Sequence, residues 1–283
     1  MTGKFCLLWL YLCLFALGFP SSALPAAAEN AFNDGMKLYR AGKYKDAIAA
    51  YDRAIKAAPK YADAYNQRGL AYFKLGDYAN ALKNYEEALT LDPKLIDAQV
   101  NRGNAHFGQK QYDRAIKDYD EIVKQKPQAP GLYFQRGLAY SALGQHEKAI
   151  QDFNQAQKLD PKDPDVYQSR GLAYRRIGRH EEAIKDYSEA IRLDAKNAES
   201  YNNRANVYSL LGKYDLALKD FDEALKIDSK NARIFANRGA MKLRLGRVGE
   251  AEKDLKRAME LDPSLKDKLE ALTSETKAPA EKR

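Results

Sequence analysis

The stretch from Ala62 to Leu95 reads ADAYNQRGLAYFKLGDYANALKNYEEALTLDPKL. With Ala62 as position 1, Tyr65, Gly69, Tyr72, Gly76, Tyr78, Ala81, Tyr85, Ala88 and Pro93 fall at positions 4, 8, 11, 15, 17, 20, 24, 27 and 32. Moving the window by 34 residues in either direction restores the pattern. Position 8 is Gly35, Gly69, Gly103, Gly137, Gly171, Ala205 and Gly239, and position 20 is Ala in every unit from Ala47 to Ala251. Seven units tile Ala28 to Leu265 without insertion or deletion.

Positions 4, 8 and 11 recur at the i, i+4, i+7 spacing of one helical face, and positions 20, 24 and 27 do the same. Each unit therefore reads as helix A, a tight turn and an antiparallel helix B. Small residues at 8 and 20 let the backbones approach, and Tyr, Phe or Leu at 24 fills the remaining space. Glycine at 15, as in Gly42, Gly76 and Gly144, suits a left-handed end to helix A. Proline at 32, as in Pro59, Pro93, Pro127, Pro161 and Pro263, stops helix B. Units five and six carry Ala195 and Ser229 there but keep Asp194 and Asp228 before the turn, which predicts only softer boundaries.

This order of aromatics, small residues and a closing proline resembles the tetratricopeptide repeat. The resemblance implies an all-α fold, a right-handed superhelical solenoid of seven helix-turn-helix units plus a C-terminal capping helix. The repeat domain is expected over 29–265, the capping helix over 266–276 with a stripe of Leu265, Leu269 and Leu272, and a disordered tail over 277–283. Such a stack has no central core, because each unit packs only on its neighbours.

Residues 1–28 read as a secretory signal peptide. Lys4 supplies the positive start, Phe5 to Phe19 an apolar run too short to span a membrane, and Ala26-Ala27-Ala28 a cleavage context. Cleavage after Ala28 is the first expectation and after Ala23 the second, with an uncleaved anchor as the alternative. Both cysteines, Cys6 and Cys13, lie in this segment, so the mature chain would have no thiol chemistry. The absence of an Asn-x-Ser/Thr acceptor favours a bacterial envelope, and a periplasmic or secreted location follows as the expectation.

The formal charge of +8 is spread along helices that alternate basic and acidic residues, the mark of solvated surfaces, so no nucleic-acid partner is expected. His106, His146 and His180 replace tyrosines at positions 11 and 17 and read as packing residues, so no metal is expected. Arginine recurs at position 7 from Arg68 to Arg238, and Asp118, Asp152, Asp186, Asp220 and Asp254 stand at 23. These rows are predicted to pair between helix A and helix B, the alternative being an anion site. No phosphate loop and no nucleophile–histidine arrangement is present, so neither an enzyme nor a cofactor is expected.

The resemblance assigns the concave face to positions 2, 5, 6, 9, 12 and 13 of helix A. Position 6 runs Gln67, Asn101, Gln135, Ser169, Asn203 and Asn237, and amides donate and accept together, which suits an extended peptide backbone. The row resembles the asparagine ladder of O-linked N-acetylglucosamine transferases; the alternative is a merely solvated polar face. Leu70, Phe73, Phe107, Phe134, Leu138 and Leu172 are expected to make the first half apolar and Asn202 and Asn206 the second half polar, with Lys74, Arg175, Arg176 and Arg244 at positions 12 and 13 as a basic set opposite the position-2 edge. Position 2 adds an acidic edge of Asp63, Asp97, Asp165 and Glu199. The family's clamp for chaperone carboxylate termini is absent, since position 5 is lysine in no unit. The expected function is a monomeric, non-enzymatic scaffold of the cell envelope that binds an extended peptide or partner helix in this groove. A cell-wall or glycan binder is the alternative.

Overall fold

The computed structural model describes residues 24–277. Most of the expected signal segment and the last six residues of the expected tail lie outside the described residues. Seven helices take the A role: α1 (Ala26–Arg40), α3 (Ala62–Lys74), α5 (Ile96–Gly108), α7 (Pro130–Ala142), α9 (Pro164–Arg176), α11 (Ala198–Leu210) and α13 (Ala232–Arg244). Their B partners are α2 (Tyr44–Ala57), α4 (Tyr78–Leu91), α6 (Tyr112–Gln125), α8 (His146–Leu159), α10 (His180–Leu193), α12 (Tyr214–Ile227) and α14 (Val248–Leu261). A single 3-10 turn, Pro263–Leu265, leads into α15 (Lys266–Lys277), which packs on α13 and α14. Each helix touches the next in sequence. Successive A helices also touch, as α3 with α5 and α9 with α11, whereas successive B helices do not to a comparable extent. The A helices therefore line the inner, concave side.

The turn glycines explain where helix A ends. Gly42, Gly76, Gly144, Gly178, Gly212 and Gly246 have φ between +69° and +78°. Unit three departs from this: Lys110 holds φ +60°, a conformation that is costly for a side-chain-bearing residue. Its glycine stands two residues earlier, at Gly108, because the Tyr78 ring lies where a Cβ would sit, 2.6 Å away.

Helix B ends at the same point in every unit, and here the expectation of softer boundaries at Ala195 and Ser229 is corrected. Helices α10 and α12 stop at Leu193 and Ile227, in register with the proline-bearing units. The next residue decides it. Asp194 and Asp228 accept from the backbone N–H two residues on, at Lys196 (3.0 Å) and Lys230 (3.2 Å), as Asp92 and Asp160 do beside their prolines. The aspartate turn closes the helix with or without proline.

The core is a row of repeated units. The alanines of positions 20 and 27 and the rings Tyr51, Tyr85, Tyr119, Phe153, Tyr187 and Phe221 are fully buried. In every unit but the sixth, which carries Ala205, the position-24 side chain lies on the helix A glycine opposite: a Cβ on Gly137 would meet Phe153 at 2.7 Å, and one on Gly239 would meet Leu255 at 2.7 Å. Burial raises the phenols; Tyr51 is pushed up to about 12.

The arginine row pairs as predicted. Arg102, Arg136, Arg170, Arg204 and Arg238 reach Asp118, Asp152, Asp186, Asp220 and Asp254, with closest contacts of 2.6 to 2.7 Å. A second acceptor was not legible in the pattern. The remaining guanidinium nitrogen crosses to position 25 of the preceding unit, from Arg68 to Asp52 (2.6 Å), Arg136 to Asp120 (2.7 Å), Arg170 to Asn154 (2.7 Å), Arg204 to the Ser188 hydroxyl (2.9 Å) and Arg238 to Asp222 (2.6 Å). The planar fork ties helix A to its own helix B and to the unit before. Arg68 finds Asn84 at position 23 in place of an aspartate (2.7 Å). Burial raises the Asp254 carboxyl, but hydrogen bonds from Arg238 and Lys242 outweigh this and hold it below the usual range.

Candidate functional site: the concave groove

The position-6 row lies on the inner face, half-buried throughout. Gln67, Gln135, Ser169 and Asn203 make no side-chain hydrogen bond among the described residues, which leaves their polar groups available. Asn101 and Asn237 are engaged. Asn101 Nδ2 donates to Asn66 Oδ1 (3.0 Å), and Asn237 Nδ2 donates to Asn202 Oδ1 (2.9 Å). The acceptors are position-5 asparagines one unit earlier, with Asn66 1% and Asn202 2% exposed. Asn202, expected as a groove ligand, thus joins two units, because its short side chain is covered by the following A helix. Gln168, also at position 5, accepts from Asn197 (2.9 Å) and the Ser200 hydroxyl (3.0 Å) of the next unit.

Much of the expected apolar half is absorbed by packing. Phe73 and Phe107 stand edge-on to Tyr78 and Tyr112 across the A–B turn, at 5.4 and 5.2 Å between centroids. Phe134 lies 5.9 Å from Phe153 and, with Leu138, belongs to the cluster around Ile150 and Val166. Leu70 and Leu172 are half-buried. Little aromatic surface remains for a ligand here. The aromatics at position 4 are covered as well, since the arginine three residues on stacks over each ring: Arg68 on Tyr65 (5.3 Å), Arg136 on Tyr133 (5.6 Å), Arg238 on Phe235 (5.6 Å).

The polar half does come together. Arg175, Asn202, Asn203, Asn206 and Asn237 line one cleft of about 420 Å³ with Ser209, Arg233, Met241 and Arg244. Sequence reasoning missed Arg233 as a site residue. The signal was present, because position 2 is acidic at Asp165 and Glu199 and reverses sign at Arg233. A second cleft of about 620 Å³, shared at Arg233, Asn237 and Ala240, continues between α13 and α15 over Ala236, Leu265, Leu269 and Leu272. At the other end of the groove the charge is opposite: burial raises the Asp63 carboxyl, helped by repulsion from Asp92 and Asp97.

A family model described as the cilia and flagella-associated protein 70 C-terminal domain, a tetratricopeptide-repeat domain, matches residues 60–280, and a TPR-repeat model matches residues 35–76. The chain belongs to this tetratricopeptide-repeat family. Among solved structures, a tetratricopeptide repeat protein from Parabacteroides merdae is 21% identical with a TM-score of 0.71, over 88% of this chain and 100% of that one. The C-terminal part of a TPR repeat-containing protein from Cytophaga hutchinsonii is 19% identical with a TM-score of 0.68, again over 88% and 100%. MamA from Desulfovibrio magneticus RS-1 is 25% identical with a TM-score of 0.59, over 62% of this chain and 99% of that one. A comparison with curated protein sequences gives no match. Proteins of this fold are typically protein–protein interaction scaffolds, generally without catalysis.

Proposed function

We propose that this chain is a non-enzymatic scaffold of the bacterial cell envelope that holds an extended peptide of a partner protein along the concave groove. The observation that carries the reading is the set of unengaged side chains at Gln67, Gln135, Ser169 and Asn203 on the inner helix face. They stand at position 6 of units two, four, five and six and can bind peptide N–H and C=O groups whatever the ligand's side chains. The glycan alternative needs open aromatic faces, and arginines cover the position-4 rings. The envelope location rests on the apolar segment Phe5–Phe19 and its alanine-rich flank. Ala28 is fully buried in α1, so a cut after Ala23 leaves the first unit whole and a cut after Ala28 does not.

The test is capture from envelope extract by residues 24–283, beside a bait carrying Gln67→Ala, Gln135→Ala, Ser169→Ala and Asn203→Ala. A partner held by the first bait and lost by the second is expected. A partner held equally by both would place binding outside the groove.

A further inference from the structure

The groove is electrically unequal along its length. Position 2 reads Glu29, Asp63, Asp97, Gly131, Asp165 and Glu199 and then Arg233. Arg233 spends part of its charge on Glu199 (3.3 Å). Arg175 and Arg244 line the same cleft and have no carboxylate partner among the described residues. The floor beneath these arginines is amide and hydroxyl, from Asn203, Asn206 and Ser209. Next to it the lining turns aliphatic along α13 and α15, with Ala236, Ala240, Leu265 and Leu269. Acids near this end are engaged: Glu199 with Arg233, and Asp262 with the Ser264 N–H (3.0 Å) and hydroxyl (2.6 Å).

The geometry points to a two-part site for a protein segment in which Asp or Glu residues directly adjoin two or three aliphatic residues. The carboxylates lie against Arg175, Arg233 and Arg244, and the aliphatic side chains enter the cleft between α13 and α15. This rests on the groove reading above and adds its ligand chemistry and polarity: the acidic part lies over α11 and α13, away from Asp63 and Asp97. Basic segments are disfavoured at Arg233 and Arg244 by like charge, and wholly polar ones leave the aliphatic cleft unfilled.

The experiment uses the chain from Leu24 to Arg283 and fluorescein-labelled peptides in which Glu-Glu-Asp precedes Leu-Ile-Leu. Control peptides carry Lys for the acids or Ser for the aliphatics, and a single-stranded oligonucleotide is a separate probe. The acidic–aliphatic peptide is expected to bind at least tenfold more tightly than either control, with an affinity that falls as salt rises. An Arg175→Gln, Arg233→Gln, Arg244→Gln variant should weaken it roughly tenfold or more. Ala236→Lys should weaken it while sparing salt sensitivity. A form ending at Thr273 should bind as well or better; a gain shows that the tail competes for the cleft. Equal binding of all three peptides overturns this inference, and if that binding is lost in the four-residue groove variant the groove reading itself survives. Absence of binding by any peptide, with no loss of partner in that variant, overturns both. Preference for the oligonucleotide over the acidic peptide assigns the arginines to nucleic acid and also overturns the inference. Retained helical signal in each variant separates loss of binding from loss of fold.

Discussion

Units two to four and units five to seven share one backbone plan yet present different inner surfaces. In the first group Phe73, Phe107 and Phe134 turn back onto rings of their own units, and the acidic edge at Asp63 and Asp97 continues only as far as Asp165 and Glu199 in units five and six. In the second, position 12 holds Arg175 and Ser209 in place of Phe73 and Phe107, position 9 holds Asn206, and position 2 reverses to Arg233 in unit seven, around an open cleft. The arginine fork at position 7 and the buried ring or leucine at 24 run through both. The difference teaches that the repeat confines structural demands to a few positions and leaves the others free to vary without disturbing the stack. A repeat scaffold gains its specificity this way, since each unit answers only to its neighbours.

If the fork serves both regions alike, Arg136→Met and Arg170→Met should cost similar amounts, about 3–5 kcal/mol each, because each leaves a buried aspartate unpaired. Urea unfolding of the two variants checks this, and a large cost in only one would break the shared-scaffold view. Arg68→Met should cost less, since its partners are the neutral Asn84 and the exposed Asp52.

Alkali should separate the regions. Position 24 is tyrosine at Tyr51, Tyr85 and Tyr119 in the first three units, but Phe153, Phe221 and Leu255 in units four, six and seven. Burial raises these phenols in the folded chain, Tyr51 to about 12. Their stabilising contribution is complete below the unfolded value near 10 and is lost as pH rises through the folded one. Hydrogen exchange followed as pH rises above ~10 should therefore show units one to three opening before units six and seven. Simultaneous opening would mean that the stack melts as one body.

A finer contrast lies within the tyrosines. Tyr119 donates to Asn104 Oδ1 (2.7 Å), while the Tyr85 and Tyr187 hydroxyls have no partner among the described residues. Tyr119→Phe should cost about 1 kcal/mol in thermal unfolding, whereas Tyr85→Phe and Tyr187→Phe should be neutral or stabilising. Lys110→Gly should add roughly 0.5–1 kcal/mol by relieving the left-handed residue at the unit-three turn. The smallest effects belong to the groove. Gln135→Ala and Asn203→Ala should move stability by no more than about 0.5 kcal/mol in either region, so any change in partner binding is read without a folding correction.

Most of the fold was legible in the sequence, because its rules are local. Residues 34 apart occupy equivalent environments, so Gly137 against Phe153 predicts Gly171 against Tyr187. The Arg–Asp pairs were legible for the same reason, as both rows keep step with the repeat. The crossing of five of these arginines to position 25 was not, because Asp52, Asp120, Asn154, Ser188 and Asp222 differ in chemistry and share only a place beside the next unit. Helix B endings were misjudged at Ala195 and Ser229, where the aspartate before them had the same effect as proline.

The sequence by itself determined the helix pairs, the turns and the repeat positions that form the core, since those follow from spacing within one unit. Only the tertiary structure decided which inner residues are free. Asn202 and Asn203 are adjacent and chemically identical, yet one is enclosed by the next helix and bonded to Asn237 while the other faces the groove. Helical periodicity places both near one face. The packing of the following unit, which no single repeat specifies, settles which of them a ligand can reach.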